Sequence, residues 1–240
     1  MKFLTSLSPN RIERQQLCLK TWEQFGEITA VQTAGDVAIL EPHFPGVNFV
    51  TTELTGAGLY GLPNRPRIKA IVDQGPGLLI NSDIKITSTQ QEFEKDWTPK
   101  AKQFNVGVRW DFEAPKGPKV INKCGVDAFL ITEEVMQLLP DVGFLIGVPM
   151  WDYWIVWHML TERFRIQSKI SQGLLHLKHA INWTKEDMDR GKEIMHAEYG
   201  LDPQNYFLHL AIPIATGRKI LTHKGPASLF KGAIASKGKK

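Results

Sequence analysis

Two cysteines in 240 residues are too few for a disulfide-held scaffold. Cys18 falls in a helical pattern and Cys124 sits beside a glycine. Neither has the spacing of a zinc site, so two free thiols in a reducing cytoplasm are expected. No apolar run approaches the roughly 18 residues that span a bilayer. The opening Met1-Lys2-Phe3-Leu4-Thr5-Ser6-Leu7 turns polar too quickly for a signal peptide and reads as a first strand. No internal repeat occurs, and low complexity is confined to the end of the chain. These absences exclude a disulfide mini-protein, a membrane span, a zinc module and a solenoid.

What is present fits one large domain. Residues are 42% hydrophobic and 22% charged, enough for a sizeable core. We place the domain at 1–225, with a basic, flexible tail at 226–240. The net charge is +4, and Lys231, Lys237, Lys239 and Lys240 supply part of the excess. Such a tail is either a solvated terminus or a handle for a polyanion such as nucleic acid.

Strand and helix patterns alternate in the first half. Short strands are expected at 28–31, 48–52, 77–80, 106–110, 128–131 and 174–177. Asn10 with Glu13 forms a capping-box pattern that opens a helix over 10–25, with Ile12, Leu19 and Trp22 as its apolar stripe. Residues 35–46 read as a loop with a helical turn, and 66–74 as a short helix with proline in its first turn. Residues 113–119 read as a loop. Helices are also expected after Thr132, over 154–164 and over 184–199, the last capped by Thr184 and stopped by Gly200. Alternation of this kind predicts an α/β domain with a mostly parallel central sheet and helices on both faces.

The sharpest local signal is Gly77-Leu78-Leu79-Ile80-Asn81-Ser82-Asp83. A buried strand ending in Asn-x-Asp sets two oxygen ligands at the carboxyl edge of a sheet, where α/β sheets bind ligands. Hard cations and the phosphates they bridge suit such oxygens, although Asn and Asp are also ordinary turn residues. Arg65, Arg67 and Lys69 come shortly before and are either an anion site at a helix start or simply its solvated first turn. In Trp151-Asp152-Tyr153-Trp154 a carboxylate lies among rings that stack on sugars or bases. Desolvation there raises its pKa toward that of a general base. The alternative is a core aromatic patch with Asp152 as helix cap. His176, near a strand end, is either a metal or diphosphate group or a hydrogen-bonded structural histidine, and Asp127 is a candidate for an acceptor hydroxyl.

In this order these pieces resemble the nucleotide-sugar glycosyltransferases of the GT-A fold, most of all small members from bacteria and their viruses. The resemblance covers about residues 1–185. It implies that Ser8, Pro9, Asn10 and Arg11, with Arg67 and Lys69, hold the donor nucleotide and diphosphate. Asn81, Ser82 and Asp83 match the position of that fold's Asp-x-Asp motif. Asp83 and Asn81, with His176, are then the ligands of a Mn²⁺ or Mg²⁺ ion. Asn81 stands where the motif has its first aspartate, which removes one charged ligand. Asp152 matches the acid that serves as base, with Trp151, Tyr153, Trp154 and Asp127 around the acceptor. The implied activity is transfer of a sugar from a nucleoside diphosphate sugar to a hydroxyl, on a glycan or on a hydroxylated base in viral DNA. The implied place is the cytoplasm, of the host if the chain is viral. The competing expectation is a non-catalytic nucleotide- or nucleic-acid-binding protein with the same fold.

Overall fold

A computed structural model describes residues 1–57, 61–112, 119–169, 173–177 and 183–200. The basic tail, with Lys231, Lys237, Lys239 and Lys240, and most of the expected 113–119 loop lie outside the described residues. In chain order the elements are β1 (Lys2–Thr5), α1 (Ile12–Leu19), β2 (Glu27–Gln32), α2 (Ala34–Leu40), β3 (Val47–Thr51), β4 (Thr55–Gly56) and β5 (Leu62–Pro66). Then come α3 (Ile68–Val72), β6 (Gly77–Ile80), β7 (Ile84–Ile86), α4 (Gln90–Trp97), β8 (Gln103–Phe112) and β9 (Lys119–Ile131). The last are α5 (Glu133–Leu138), α6 (Trp151–Thr161), β10 (Arg165–Lys169), β11 (Leu174–Leu177) and α7 (Lys185–Tyr199).

Nine strands join in one curled sheet, ordered β3-β2-β1-β6-β9-β8-β11-β7, with β10 also paired to β8. The chain is an α/β domain, but its sheet is mixed rather than mostly parallel. β1, β2, β3 and β6 run parallel, whereas β9 is antiparallel to both neighbours, β6 and β8. The connection explains the reversal. Residues 113–118 separate β8 from β9, and a parallel crossover needs about a dozen residues or more.

Each face of the sheet carries an apolar layer. Leu78 and Ile80 of β6 pack with Phe3, Leu19, Trp22, Phe93 and Trp97, so α1 and α4 cover that face. Leu79 points the other way, into a layer built by α3, α5 and α6. Period-two alternation along a strand buried on both sides produces this division. Helix α6 is buried almost all round, since Trp151, Tyr153, Trp154, Ile155, Val156, Trp157, Met159 and Leu160 are all buried.

Several local expectations are corrected. The Asn10–Glu13 box does not form. Pro9–Arg11 winds as a 3-10 turn and α1 begins at Ile12 without a side-chain cap. The Gln15 side chain instead bonds both the N–H and the C=O of Ser8, at 2.7 and 2.8 Å, and satisfies that backbone directly. Pro66 ends a strand, and α3 starts after Arg67. Residues 34–40 are helical, capped by Thr33. The aromatic helix starts at Trp151, three residues earlier than its apolar pattern suggests. Thr132 and Thr184 do cap their helices, and Gly200 closes α7 in the left-handed region at φ 64°. Among the described residues, no helix is long and apolar enough to cross a membrane.

One hydrogen-bonded chain ties α7 to α6. His158 Nε2 lies 2.8 Å from the Leu138 carbonyl oxygen, to which it donates. Its Nδ1 therefore accepts from the Tyr199 hydroxyl at 3.0 Å, and that hydroxyl accepts from Trp154 Nε1 at 3.0 Å. Tyr199→Phe leaves both partners unsatisfied. We expect a loss of about 2 kcal/mol, read from urea unfolding midpoints. A loss below about 0.5 kcal/mol would show that water replaces the hydroxyl.

Candidate functional site

Strands β1, β6, β8 and β11 all end toward one side of the sheet, and their ends meet there. Thr5 Oγ1, at the end of β1, donates to the Ile80 carbonyl at 2.7 Å. Gln15 Oε1 accepts from Ser82 Oγ at 2.9 Å while its amide holds Ser8. One inward-facing glutamine thus couples the loop after β1 to the loop after β6. Above these ends opens a cleft of about 1240 Å³.

The floor of the cleft is a charge network. A β-bulge creates part of it. Gly107 pairs with Ala128 but Val108 pairs with Val126, which leaves Asp127 as the extra residue. The bulge re-aims this part of β9. Val126 joins one apolar layer and Ala128 the other, despite lying two apart. Asp127, only 3% exposed, accepts from Asn81 Nδ2 at 2.5 Å and from Arg109 Nη1 at 2.9 and 3.0 Å. Arg109 Nε lies 3.1 Å from Asp111 Oδ1. Asp111 in turn accepts from His176 Nδ1 at 2.9 Å, and His176 Nε2 lies 3.5 Å from Asp83 Oδ2. Arg109 and Asp111 share a strand face by alternation, which brings opposite charges together at the end of an apolar strand.

Burial by itself would lower the His176 pKa. Its bonds to Asp111 and Asp83 outweigh that and carry it to about 9. Burial likewise opposes the charge on Arg109, but Asp127, Asp111, Asp83 and Asp152 together raise its pKa. Asp152 behaves in the opposite way. Enough protein surrounds its carboxyl to desolvate it, and Asp127 adds repulsion. The Tyr153 amide, 3.0 Å away, and Arg109 offset only part of this, so the pKa rises to about 7. Asp152 is not the helix cap. Met150 holds that position at φ 81°, a left-handed conformation costly for a side chain of its size.

Cations gather at the mouth of the cleft. Arg11 follows β1, Arg14 comes from α1 and Arg65 from β5. Burial and the nearness of Arg14 and Arg65 lower the Arg11 pKa, although Asp83 opposes the shift. Arg65 Nη1 also donates to the Gly147 carbonyl at 3.2 Å and so joins β5 to the loop before α6. Trp183, 37% exposed, and Lys192 of α7 line the cleft as well.

Most residues singled out from sequence do line this cleft: Ser8, Pro9, Asn10 and Arg11 on one side, Asn81, Ser82 and Asp83 on the floor. Asp127, Trp151, Asp152, Tyr153 and His176 line it as well. Three do not. Arg67 is bound to Asp141 at 2.8 Å and to the Thr55 carbonyl at 2.8 Å, where it braces β4 and α3. Lys69 pairs with Asp73 one helical turn on. Trp154 is core, packed on Phe144 and bonded to Tyr199. Trp151 is also mostly core, edge-on to Phe129 at 5.1 Å. Residues without a sequence signal strong enough to find them are Arg109, Asp111, Arg14, Gln15 and Trp183. Only the Arg109-x-Asp111 alternation at a strand end was available as a clue.

Of the residues expected to ligate a metal, Asn81 and His176 are engaged by neighbouring acids. Asn81 directs its amide N–H at Asp127, and both His176 ring nitrogens face carboxylates. A metal-ligating histidine needs a free lone pair, and this ring is held as a cation. Among the described residues, no group of three or more His, Cys, Asp or Glu is arranged to hold a metal ion. No family model matches the sequence, and no curated protein matches it.

The raised pKa values of His176 and Asp152 make stability depend on pH. His176 binds its proton more tightly folded, so its contribution is full below about 6.5 and lost as pH rises through about 9. Asp152 costs stability progressively from about 3.8 to about 7, where the carboxyl of the unfolded chain is ionised and the desolvated folded one still holds its proton. Unfolding midpoints measured across this range should therefore fall toward alkaline pH. His176→Gln should flatten the alkaline part of the curve. An unchanged slope there would show that His176 is not held as a cation.

Proposed function

We infer that this chain transfers a sugar from a nucleoside diphosphate sugar to a hydroxyl acceptor. One observation carries the reading: Asp152, a carboxyl desolvated at the cleft wall to a pKa of about 7, faces the same cleft as three arginines at its mouth. A group that is half ionised near neutral pH suits proton abstraction from a hydroxyl. Arginine forks suit the phosphates of a leaving diphosphate.

In this reading the Asp152 carboxylate accepts the hydroxyl proton as the acceptor oxygen forms its bond to the anomeric carbon. The bond from that carbon to the diphosphate oxygen breaks, and its electron pair leaves with the nucleoside diphosphate. Arg11, Arg14 and Arg65 meet the charge that develops there. Ser8 to Arg11 line the donor side, which Gln15 holds against Ser82. The exposed Trp183, with Tyr153, offers rings for an acceptor to stack on. Asp127 has a supporting part, because its carboxylate is engaged by Arg109 and Asn81.

Asp152→Asn keeps the shape of the side chain and removes the base. Turnover of a labelled nucleotide sugar should fall on the order of 100-fold or more, with donor affinity little changed. In the parent chain the rate should climb with pH and level off above about 7, as Asp152 ionises. Collapse of donor affinity in the variant would place Asp152 in the donor site. Unchanged turnover would remove it from the chemistry.

A further inference from the structure

Asp83 and Asp127 on the floor and Asp152 on the wall line the cleft with Arg109, and Asp111 reaches Arg109 from the same strand. Asp83, Asp111, Asp127 and Asp152 all act on one group, the Arg109 guanidinium. A nucleotide diphosphate brought toward bare carboxylates is repelled, so sites with this charge pattern need a cation between the two. Here that place is filled by the protein itself. Arg109 Nη1 bonds both oxygens of Asp127, and its Nε lies 3.1 Å from Asp111.

The backbone is shaped for this side chain. Gly125, on the neighbouring strand, passes so close that a Cβ there would lie 2.5 Å from Arg109 Nε and 2.8 Å from its Cγ. A guanidinium keeps its charge at every physiological pH. A bound metal instead depends on metal concentration and on deprotonated ligands.

We propose that Arg109 is a built-in cation standing in place of a divalent metal ion, so that nucleoside diphosphates bind this cleft without metal. The nucleotide part of this rests on the transferase reading above; the part concerning Arg109 does not. Arg109 neutralises the acidic floor, and Arg11, Arg14 and Arg65 supply the phosphate contacts from the mouth.

Two measurements on the full chain test it. The first is calorimetric binding of UDP and GDP, in EDTA and in Mn²⁺. The parent should bind at least one of them with affinities that agree within about a factor of two in the two buffers, well inside a tenfold step. The second is Mn²⁺ binding without nucleotide, read by electron paramagnetic resonance, for the parent, Arg109→Ala and Arg109→Lys. The parent and the lysine variant, which keep a cation against Asp127, should leave Mn²⁺ free. Arg109→Ala should bind it, because its carboxylates then face a vacated space. Mn²⁺ binding by the parent overturns the proposal, as does nucleotide affinity that EDTA abolishes. A folded Arg109→Ala that ignores Mn²⁺ also overturns it. If that variant does not fold, the parent and lysine arms decide. If neither nucleotide binds in either buffer, the transferase reading fails, and the Mn²⁺ arms still judge Arg109.

Discussion

The half-buried guanidinium of Arg109 is the interaction on which the site depends. A charge taken out of water costs several kcal/mol unless close partners compensate it. Here the compensation comes from different strands. β8 supplies Arg109 and Asp111, the bulge of β9 supplies Asp127, and the loop after β6 supplies Asn81, which fixes Asp127 from its other side. β11 adds His176, which links Asp111 to Asp83. Each partner is held by another, so the strand ends are locked in register by charge as well as by the backbone ladder. Loss of one member leaves its neighbour buried and unpaired, which is costlier than the pair was worth.

Around that floor the cleft has two walls of opposite character. One is cationic and polar, built on the 3-10 turn Pro9–Arg11 and the end of β5. The other is the apolar start of α6, reached through a tight approach. Gly147 at φ 73° and Met150 at φ 81° bend the chain there. Helix α7 closes on this bend through Gly191, where a Cβ would lie 2.8 Å from the Pro149 carbonyl oxygen. The strain at Met150 persists because packing from both sides leaves no other path. Its result is an acid in the first turn of an apolar helix, desolvated yet facing the cleft. The same geometry explains how Asp152 and Asp127 differ. Asp127 has Arg109 and Asn81 in direct contact, whereas Asp152 has the backbone amides of Tyr153 and of its own residue and a more distant arginine.

Much of this was legible in the residue order. The all-apolar run before Asn81 marked a strand buried on both faces, and its polar end marked the floor of the cleft. Thr132, Thr184 and Gly200 marked helix ends, because caps are local chemistry. The aromatic cluster marked the wall that bears Asp152. Arg67 and Lys69 misled, since proximity in sequence to a strand says nothing about where a long side chain finds its acid. The capping pattern at Asn10 misled in the same way, because Gln15 reached the backbone first.

Local pattern thus determined many of the strands and helices, though not β4, β5, β7, β10, α2 or α4, and that polar residues end the central strand. Strand direction, the bulge at Asp127 and the meeting of Arg109 with its acids were decided only by the tertiary structure. The physical reason is range. Periodicity and capping act over a few residues, whereas Arg109 and Asp127 are eighteen residues apart and His176 and Asp111 sixty-five. Such pairs form only when sheet order and register bring them within reach, and the low dielectric between the two apolar layers then makes each charge dependent on its partner.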